Sequence, residues 1–375
     1  MKWAACMVLA ACSAGSKPTA SVGTVGTPVE LGKLAFHDQN LSEPAGQACA
    51  DCHDDSKAFR DPETDHTSSM GVVPGRFGSR NSPSAMYTAQ VPNLHLEGGE
   101  MIGGLFWDGR ADTLELQAAS PMLNPLEMNN PDRATVVMKL RLSRYADDFR
   151  KVYGADALDD VDTAFDHLMD AIGAYERSPQ LAPFASKYDR YLAGQDKLSS
   201  SEMRGLAIFE DPARGNCASC HPSRPGADGA PPMFTTFGYA NIGVPRYANN
   251  LFYVQPLNAD GEKFLDRGLG RTLDNATYDG LFRIPSLRNV ARTAPYGHNG
   301  YFANLSYMLD FLNTRDVGSA MVGGTCSRSS AGEARCMWPA PEVPSTVTHA
   351  VGNLHLTQQD LDDLSAFLTT LNDPK

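Results

Sequence analysis

The stretches CADCH (residues 49–53) and CASCH (residues 217–221) decide the fold of this 375-residue chain. Both have the form C-x-x-C-H, in which two thiols can add to the vinyl groups of a haem while the next imidazole reaches the iron. A single C-x-x-C could instead be a redox dithiol or half of a zinc site. Two copies in one chain favour covalent haem. The predicted attachment and iron-binding residues are Cys49, Cys52 and His53 for the first haem, and Cys217, Cys220 and His221 for the second.

Each motif is preceded by a helical pattern that ends near a phenylalanine, over residues 29–36 for the first and 201–209 for the second. Both patterns are amphipathic and predict a helix that packs beside its haem. Two cytochrome-c-like units therefore follow from the sequence. Further helical patterns cover residues 133–153, 161–176, 305–313 and 358–371.

Strand signals are few, and proline and glycine are spread through long connections. The sequence thus predicts a mainly α protein with two cytochrome-c-like haem domains, long loops and little β structure. The predicted divisions are a signal and tether at 1–27, an N-terminal haem domain at 28–182 and a C-terminal haem domain at 183–375, with residues 183–198 as the linking region.

The first residues carry one positive charge and a short apolar run, which is typical of an export signal and too short to span a bilayer. The run LAAC (residues 9–12) matches a bacterial lipobox, which predicts lipidation of Cys12 and a flexible tether behind it. Simple cleavage near Ala14 or Ala20 is the alternative. In either case we expect a periplasmic protein, and the lipid is the only membrane attachment that the sequence predicts.

Two further cysteines, Cys326 and Cys336, flank a serine-rich stretch and could close a small disulfide loop in an oxidising compartment, with two free thiols as the alternative. The net charge of −12 and the lack of a Lys/Arg cluster argue against nucleic acid as a partner. A docking protein should present a basic or apolar patch.

Several longer stretches resemble the bacterial di-haem cytochrome c peroxidase and MauG family, and the likeness runs from about residue 29 to 372. They are FWDGRA (106–111), LELQ (114–117), NPLEM (124–128), AIGAYER (171–177), IPSLRNV (284–290) and TAPYGHNG (293–300).

The resemblance implies that the N-terminal haem reacts with hydrogen peroxide. Glu127 falls on the family's distal acid/base and Gln117 on its distal glutamine, as O–O cleavage requires a group that takes and returns a proton. The alternative for Glu127 is a helix-capping or surface residue. Trp107 falls on the segment that relays electrons or holes between the haems, although a tryptophan by default is core.

The family's calcium site falls on the side chain of Asn81 and the carbonyl groups of Thr293 and Pro295, hard oxygen ligands that suit Ca²⁺.

The sequence departs from the family at two positions that would contact the haem irons. Val73 stands where many members have a histidine that caps the N-terminal haem, so we expect that haem to be open.

At the C-terminal haem the family's sixth ligand is Met or Tyr, and that position is Leu312 here, which cannot ligate iron. Met308 lies four residues earlier on the same helix face and is the best substitute. The alternative is that Met308 is core, with Met321, Met337 or water at the iron.

Two enzymatic versions remain open. One is a peroxidase that receives electrons from a small cytochrome or copper protein, and the other oxidises residues of a specific partner protein, as MauG does. The missing histidine and methionine favour the second. A non-enzymatic electron carrier is the alternative from another class, but it would have no need of Gln117 and Glu127.

Overall fold

The computed structural model describes residues 25–63, 67–317 and 338–374, and these ranges are mainly helical, which confirms the predicted fold class. The α-helices are α1 (Pro28–Phe36), α2 (Cys49–Cys52), α3 (Leu114–Leu123), α4 (Arg133–Leu142), α5 (Ala146–Tyr153), α6 (Val161–Glu176), α7 (Lys187–Leu192), α8 (Ser200–Glu210), α9 (Leu269–Thr272), α10 (Leu305–Thr314) and α11 (Gln358–Thr369).

Strands are short and form two antiparallel pairs. The first pair is β1 (His95–Glu97) with β2 (Glu100–Ile102), in which Leu96 lies opposite Met101. The second pair is β3 (Tyr239–Ala240) with β4 (Phe282–Arg283). Long loops make up most of the remaining described chain, in agreement with the spread of proline and glycine in the sequence.

Short polar side chains set the beginnings of the main helices. Thr27, Asp160, Ser199 and Thr357 precede α1, α6, α8 and α11, and each accepts a hydrogen bond from a backbone N–H of the first turn. Such caps satisfy N–H groups that have no partner within the helix. These four helices form the two crossings that hold the haem motifs.

The first crossing packs α1 against α6. Gly32 makes it possible, because a Cβ at this position would lie 1.8 Å from the carbonyl oxygen of Ala171. Around the crossing is a core whose buried apolar residues all come from residues 25–181, and Cys49 and Ala50 of the first motif pack against it.

The second crossing packs α8 against α11 in the same way. A Cβ on Gly205 would lie 2.0 Å from the carbonyl oxygen of Asp363. The core around it is drawn from residues 188–371, and Cys217 and Ala218 pack against it. Each haem motif therefore follows a helix that crosses a later helix at a glycine.

Arg80 is the centre of two buried ion pairs, and the one with Asp266 joins the two halves. The guanidinium of Arg80 lies 2.7 Å from the carboxylate of Asp108 and 2.7 Å from that of Asp266. All three side chains are nearly buried, so breaking either pair would leave a charge without compensation.

The prediction of one helical pattern over residues 133–153 was wrong in one respect. Ser143 adopts an extended conformation, so the helix ends at Leu142 and a second one begins at Ala146. The break lets both segments bury their apolar faces, with Val137 of α4 and Phe149 of α5 in the same core.

Cys12, Cys326, Cys336, Met321 and Met337 lie outside the described residues. Within the described ranges, no helix combines the length and the apolar character that crossing a bilayer requires.

Candidate functional site

The first motif forms the short helix α2 and the residue that follows it. The Nδ1 atom of His53 lies 3.1 Å from the carbonyl oxygen of Phe59, which accepts its hydrogen bond and leaves Nε2 available for iron. Burial lowers the pKa of His53, so the imidazole is neutral, as metal ligation requires. The ring of Phe36, from the preceding helix, packs at 6.5 Å from that of His53.

The second motif repeats this arrangement. The Nδ1 atom of His221 lies 2.7 Å from the carbonyl oxygen of Phe234, and burial lowers the pKa of His221 to about 4. Its imidazole is therefore also neutral and held with Nε2 free.

A cavity of about 300 Å³ opens beside the second motif. Its wall contains Cys217, Cys220 and His221 together with many apolar side chains, among them Phe209, Leu287, Leu305, Leu364 and Leu368. None of the four thiol groups of the two motifs is in a disulfide bond. The thiol groups, an oriented neutral imidazole and an apolar wall fit a covalently bound haem at this site, and the first motif offers the same donors.

Glu127 lies in the turn that follows α3, beside the loop at residues 71–76. The backbone N–H of Val72 donates to the carbonyl oxygen of Glu127 at 2.9 Å, and a Cβ on Gly71 would lie 2.3 Å from the carbonyl oxygen of Leu126. Burial raises the pKa of Glu127, which Arg110 partly opposes. A half-buried carboxyl group is thus held at the edge of the N-terminal core.

The carboxyl group of Glu127 is also close to the first motif, since its charge contributes to raising the pKa values of Cys49 and Cys52, for which burial is the larger cause. Gln117 lies half-buried on α3, where its neighbour Ala118 is in the core. No hydrogen bond joins Gln117 to Glu127 in the described part of the chain.

Trp107 lies at the junction of the two halves. Its indole Nε1 donates to the carbonyl oxygen of Asn81 at 2.8 Å, and its own carbonyl oxygen accepts from the backbone N–H of Arg283 at 2.8 Å. Trp107 lines the cavity beside the second motif. Met86 lines the same cavity and also packs against the N-terminal core, so it lies between the two.

Two of the predicted calcium ligands are in contact. The Nδ2 atom of Asn81 donates to the carbonyl oxygen of Pro295 at 2.9 Å, and Thr293 lines the same cavity. Turning the amide of Asn81 would present its oxygen to this position, so the neutral oxygen donors fit a calcium ion. The residues that the structure describes contain no cluster of three His, Cys, Asp or Glu side chains suited to a metal.

Met308 and Leu312 both lie on α10 and both line the cavity of the second motif. Met233, which directly precedes Phe234, also lines this cavity. Val73, in the loop beside Glu127, is half-buried.

Sequence reasoning assigned no role to Glu176, the last residue of α6. Only 5% of it is exposed and its Oε2 atom has no hydrogen-bond partner. Burial raises the pKa of Glu176 to about 8. Its charge also raises the pKa of Cys49, so it lies near the first motif. Within the stretch AIGAYER nothing distinguishes this glutamate from a surface residue.

The sequence profile described as di-haem cytochrome c peroxidase matches residues 27–197. The chain is 38% identical to the methylamine utilization protein MauG of Paracoccus denitrificans, over 92% of this chain and 88% of that protein. It is 28% identical to cytochrome c551 peroxidase of Nitrosomonas europaea, over 76% of this chain and 72% of the relative. Among solved structures, the dihaem peroxidase BthA of Burkholderia thailandensis E264 superimposes with a TM-score of 0.75 at 34% identity, covering 92% of this chain and 86% of BthA.

Proposed function

Because this chain belongs to the di-haem cytochrome c peroxidase and MauG family, it is a peroxidase-like oxidoreductase, and we propose that it reduces hydrogen peroxide at CADCH (49–53) and draws electrons through CASCH (217–221). The observation that supports this assignment of roles to the two motifs is the position of Glu127. Its half-buried carboxyl group lies near the thiols of the first motif.

A bound haem supplies the iron at which the O–O bond of peroxide breaks. The protein must then move one proton, from the inner peroxide oxygen to the leaving one. Glu127 performs this transfer, since a carboxyl group with a raised pKa can both accept and return a proton. Gln117 supports it from α3 by hydrogen bonding to the reactant.

Trp107 carries electrons between the two motifs. Its position at the junction, with both its indole N–H and its carbonyl group fixed by hydrogen bonds, supports this role, as does the oxidisable indole itself. Met308 would bind the iron of a haem held at the second motif, since α10 presents it to the cavity together with Leu312.

Calcium bound by Asn81, Thr293 and Pro295 keeps the halves in register. Asn81 comes from the N-terminal half and the other two residues from the C-terminal half, so one ion would join them. Adding a chelator should lower the temperature of unfolding, and adding back Ca²⁺ should restore it. Unfolding that is the same with and without chelator would contradict the proposal.

The electron source for the second motif is either a small redox protein or residues of a specific protein substrate. Val73 and Leu312 stand where many members have iron ligands, and both departures favour oxidation of a protein substrate. The relatives named MauG support the same choice. Rapid turnover of peroxide with a reduced small cytochrome c would instead support a donor-fed peroxidase.

The optical spectrum of the oxidised protein tests the proposal against a simple electron carrier. We expect a high-spin component that shifts when peroxide is added. Two low-spin haems that do not respond to peroxide would contradict the proposal and indicate a carrier.

The protein acts in the periplasm, held to the membrane by lipid on Cys12. The lipobox-like run before Cys12 supports this placement. Replacing Cys12 by serine should release the protein from membranes and leave its spectrum unchanged. Equal release of wild type and variant would instead indicate ordinary signal cleavage.

A further inference from the structure

A polar groove of about 670 Å³ lies on the N-terminal half, away from the cavity of the second motif. Its wall includes Asp38, Gln39, Lys139 and Tyr145. The groove reaches the first motif, because Nε2 of Gln39 donates to both carboxylate oxygens of Asp51 in CADCH, at 3.0 and 3.1 Å.

Tyr145 lies beneath this groove with 2% of its surface exposed. Its hydroxyl group donates to Oδ2 of Asp38 at 3.0 Å. The other carboxylate oxygen, Oδ1, accepts from the backbone N–H and the side-chain amide of Asn40, at 3.0 and 2.8 Å. Asp38 is therefore oriented with one oxygen directed at the phenol.

The ring of Tyr145 belongs to the same apolar core against which Cys49 and Ala50 of the first motif pack. Burial and the adjacent Asp38 raise the pKa of Tyr145, so the phenol keeps its proton at neutral pH. A buried phenol gives up an electron readily only if its proton can leave at the same time, since a phenol cation in an apolar core is costly. Asp38 is positioned to take that proton.

We propose that Tyr145 and Asp38 form a proton-coupled redox pair that carries oxidising equivalents from the first motif to the groove. This inference rests on the proposed reaction of peroxide at that motif. One electron leaves Tyr145 toward the peroxide-oxidised site, the phenolic proton moves to Asp38, and a neutral tyrosyl radical remains.

A donor in the groove then returns one electron to Tyr145, and the proton on Asp38 goes back to the phenol. Two such cycles supply two electrons by a route separate from the second motif, and the two protons that the donor releases to solvent replace the two that are consumed as hydrogen peroxide becomes two water molecules. The donor that suits a neutral phenoxyl radical is a small phenol or hydroquinone, which releases an electron and a proton together.

Two other tyrosines in this half serve as matched controls. Tyr175 lies in the same core and its ring is 5.3 Å from that of Phe36, but its buried hydroxyl group has no hydrogen-bond partner. Tyr153 does have a carboxylate partner, Asp170, at 2.7 Å. It lies at the opposite end of α5 from Tyr145, about 12 Å along the helix axis, and it does not line the groove.

The test is to add peroxide, without an electron donor, to the protein with both haems bound. Optical and electron paramagnetic resonance spectra are recorded together. Wild type, Tyr175→Phe and Tyr153→Phe should form a tyrosyl radical in similar yield. Tyr145→Phe should lower that yield about tenfold or more, and Asp38→Asn should slow its formation. Hydroquinone should quench the radical of wild type and be oxidised more slowly by Tyr145→Phe.

A radical of unchanged yield in Tyr145→Phe would overturn the inference, as would loss of the radical in Tyr175→Phe or Tyr153→Phe alone. These outcomes leave the proposed function standing when the optical spectrum still responds to peroxide. A spectrum that does not respond to peroxide in wild type would instead refute the proposed function itself.

Discussion

Replacing Glu176 by glutamine should stabilise the protein, and the gain should grow as the pH rises. The pKa of this carboxyl group is about 8 in the folded protein against 4.5 as the ordinary value, because burial disfavours its charged form. Since the folded value is the higher one, wild-type stability is complete at acid pH and is lost as the pH rises toward 8. Glutamine has nearly the same shape and never ionises, so the free energy of unfolding of the variant does not fall for this reason as the pH rises.

The size of the effect follows from the two pKa values. At about 1.4 kcal/mol per pH unit, the free energy of unfolding of Glu176→Gln should exceed that of wild type by about 1 kcal/mol at pH 5 and about 3 kcal/mol at pH 7. Urea unfolding at both pH values, followed by circular dichroism, measures this difference. Glu100→Gln, at an exposed strand residue, is the control and should show no such trend. A difference that is the same at pH 5 and pH 7 would mean that the pKa of Glu176 is not raised in the folded protein.

Three further predictions concern the haems and the helix crossings. Mass spectrometry of the exported protein should find two covalently attached haems, and a gain of one or none would contradict the assignment of both motifs. Gly205→Ala should destabilise the protein by about 2 kcal/mol or more, because the new Cβ would lie 2.0 Å from the carbonyl oxygen of Asp363, whereas Gly26→Ala meets nothing within 4 Å and should be nearly neutral. Met308→Ala should abolish the weak sulfur-to-iron charge-transfer band of the oxidised spectrum; if the band persists, another group ligates the iron.

Local signals were sufficient to predict most of the longer helices, but not α3, which contains Pro121. The helix over residues 161–176 was predicted at its observed bounds, because its apolar periodicity and its cap at Asp160 are both contained in a short stretch. The break at Ser143 was missed, since the pattern on both sides of it is helical and only the packing of the two segments on one core separates them.

Contacts between distant residues could not be predicted from spacing. The carbonyl groups of Phe59 and Phe234 that orient the two motif histidines follow from loop conformation. The burial of Glu176 and the bond between Tyr145 and Asp38 depend on helices that meet only in the folded protein. The residue types alone predict neither the burial of Glu176 nor the hydrogen bond between Tyr145 and Asp38.

We propose above that peroxide reacts at the first motif with Glu127 as the acid/base group. Stopped-flow spectra of the oxidised protein mixed with peroxide test it most directly, with Glu127→Gln compared to wild type and to Glu115→Gln as a control. Glu115 lies on α3 and its carboxylate is 2.6 Å from the guanidinium of Arg177. We predict that Glu127→Gln slows the reaction about a hundredfold or more with unchanged haem content, while Glu115→Gln reacts like wild type. Reaction of Glu127→Gln at the wild-type rate would show that Glu127 is not the acid/base group.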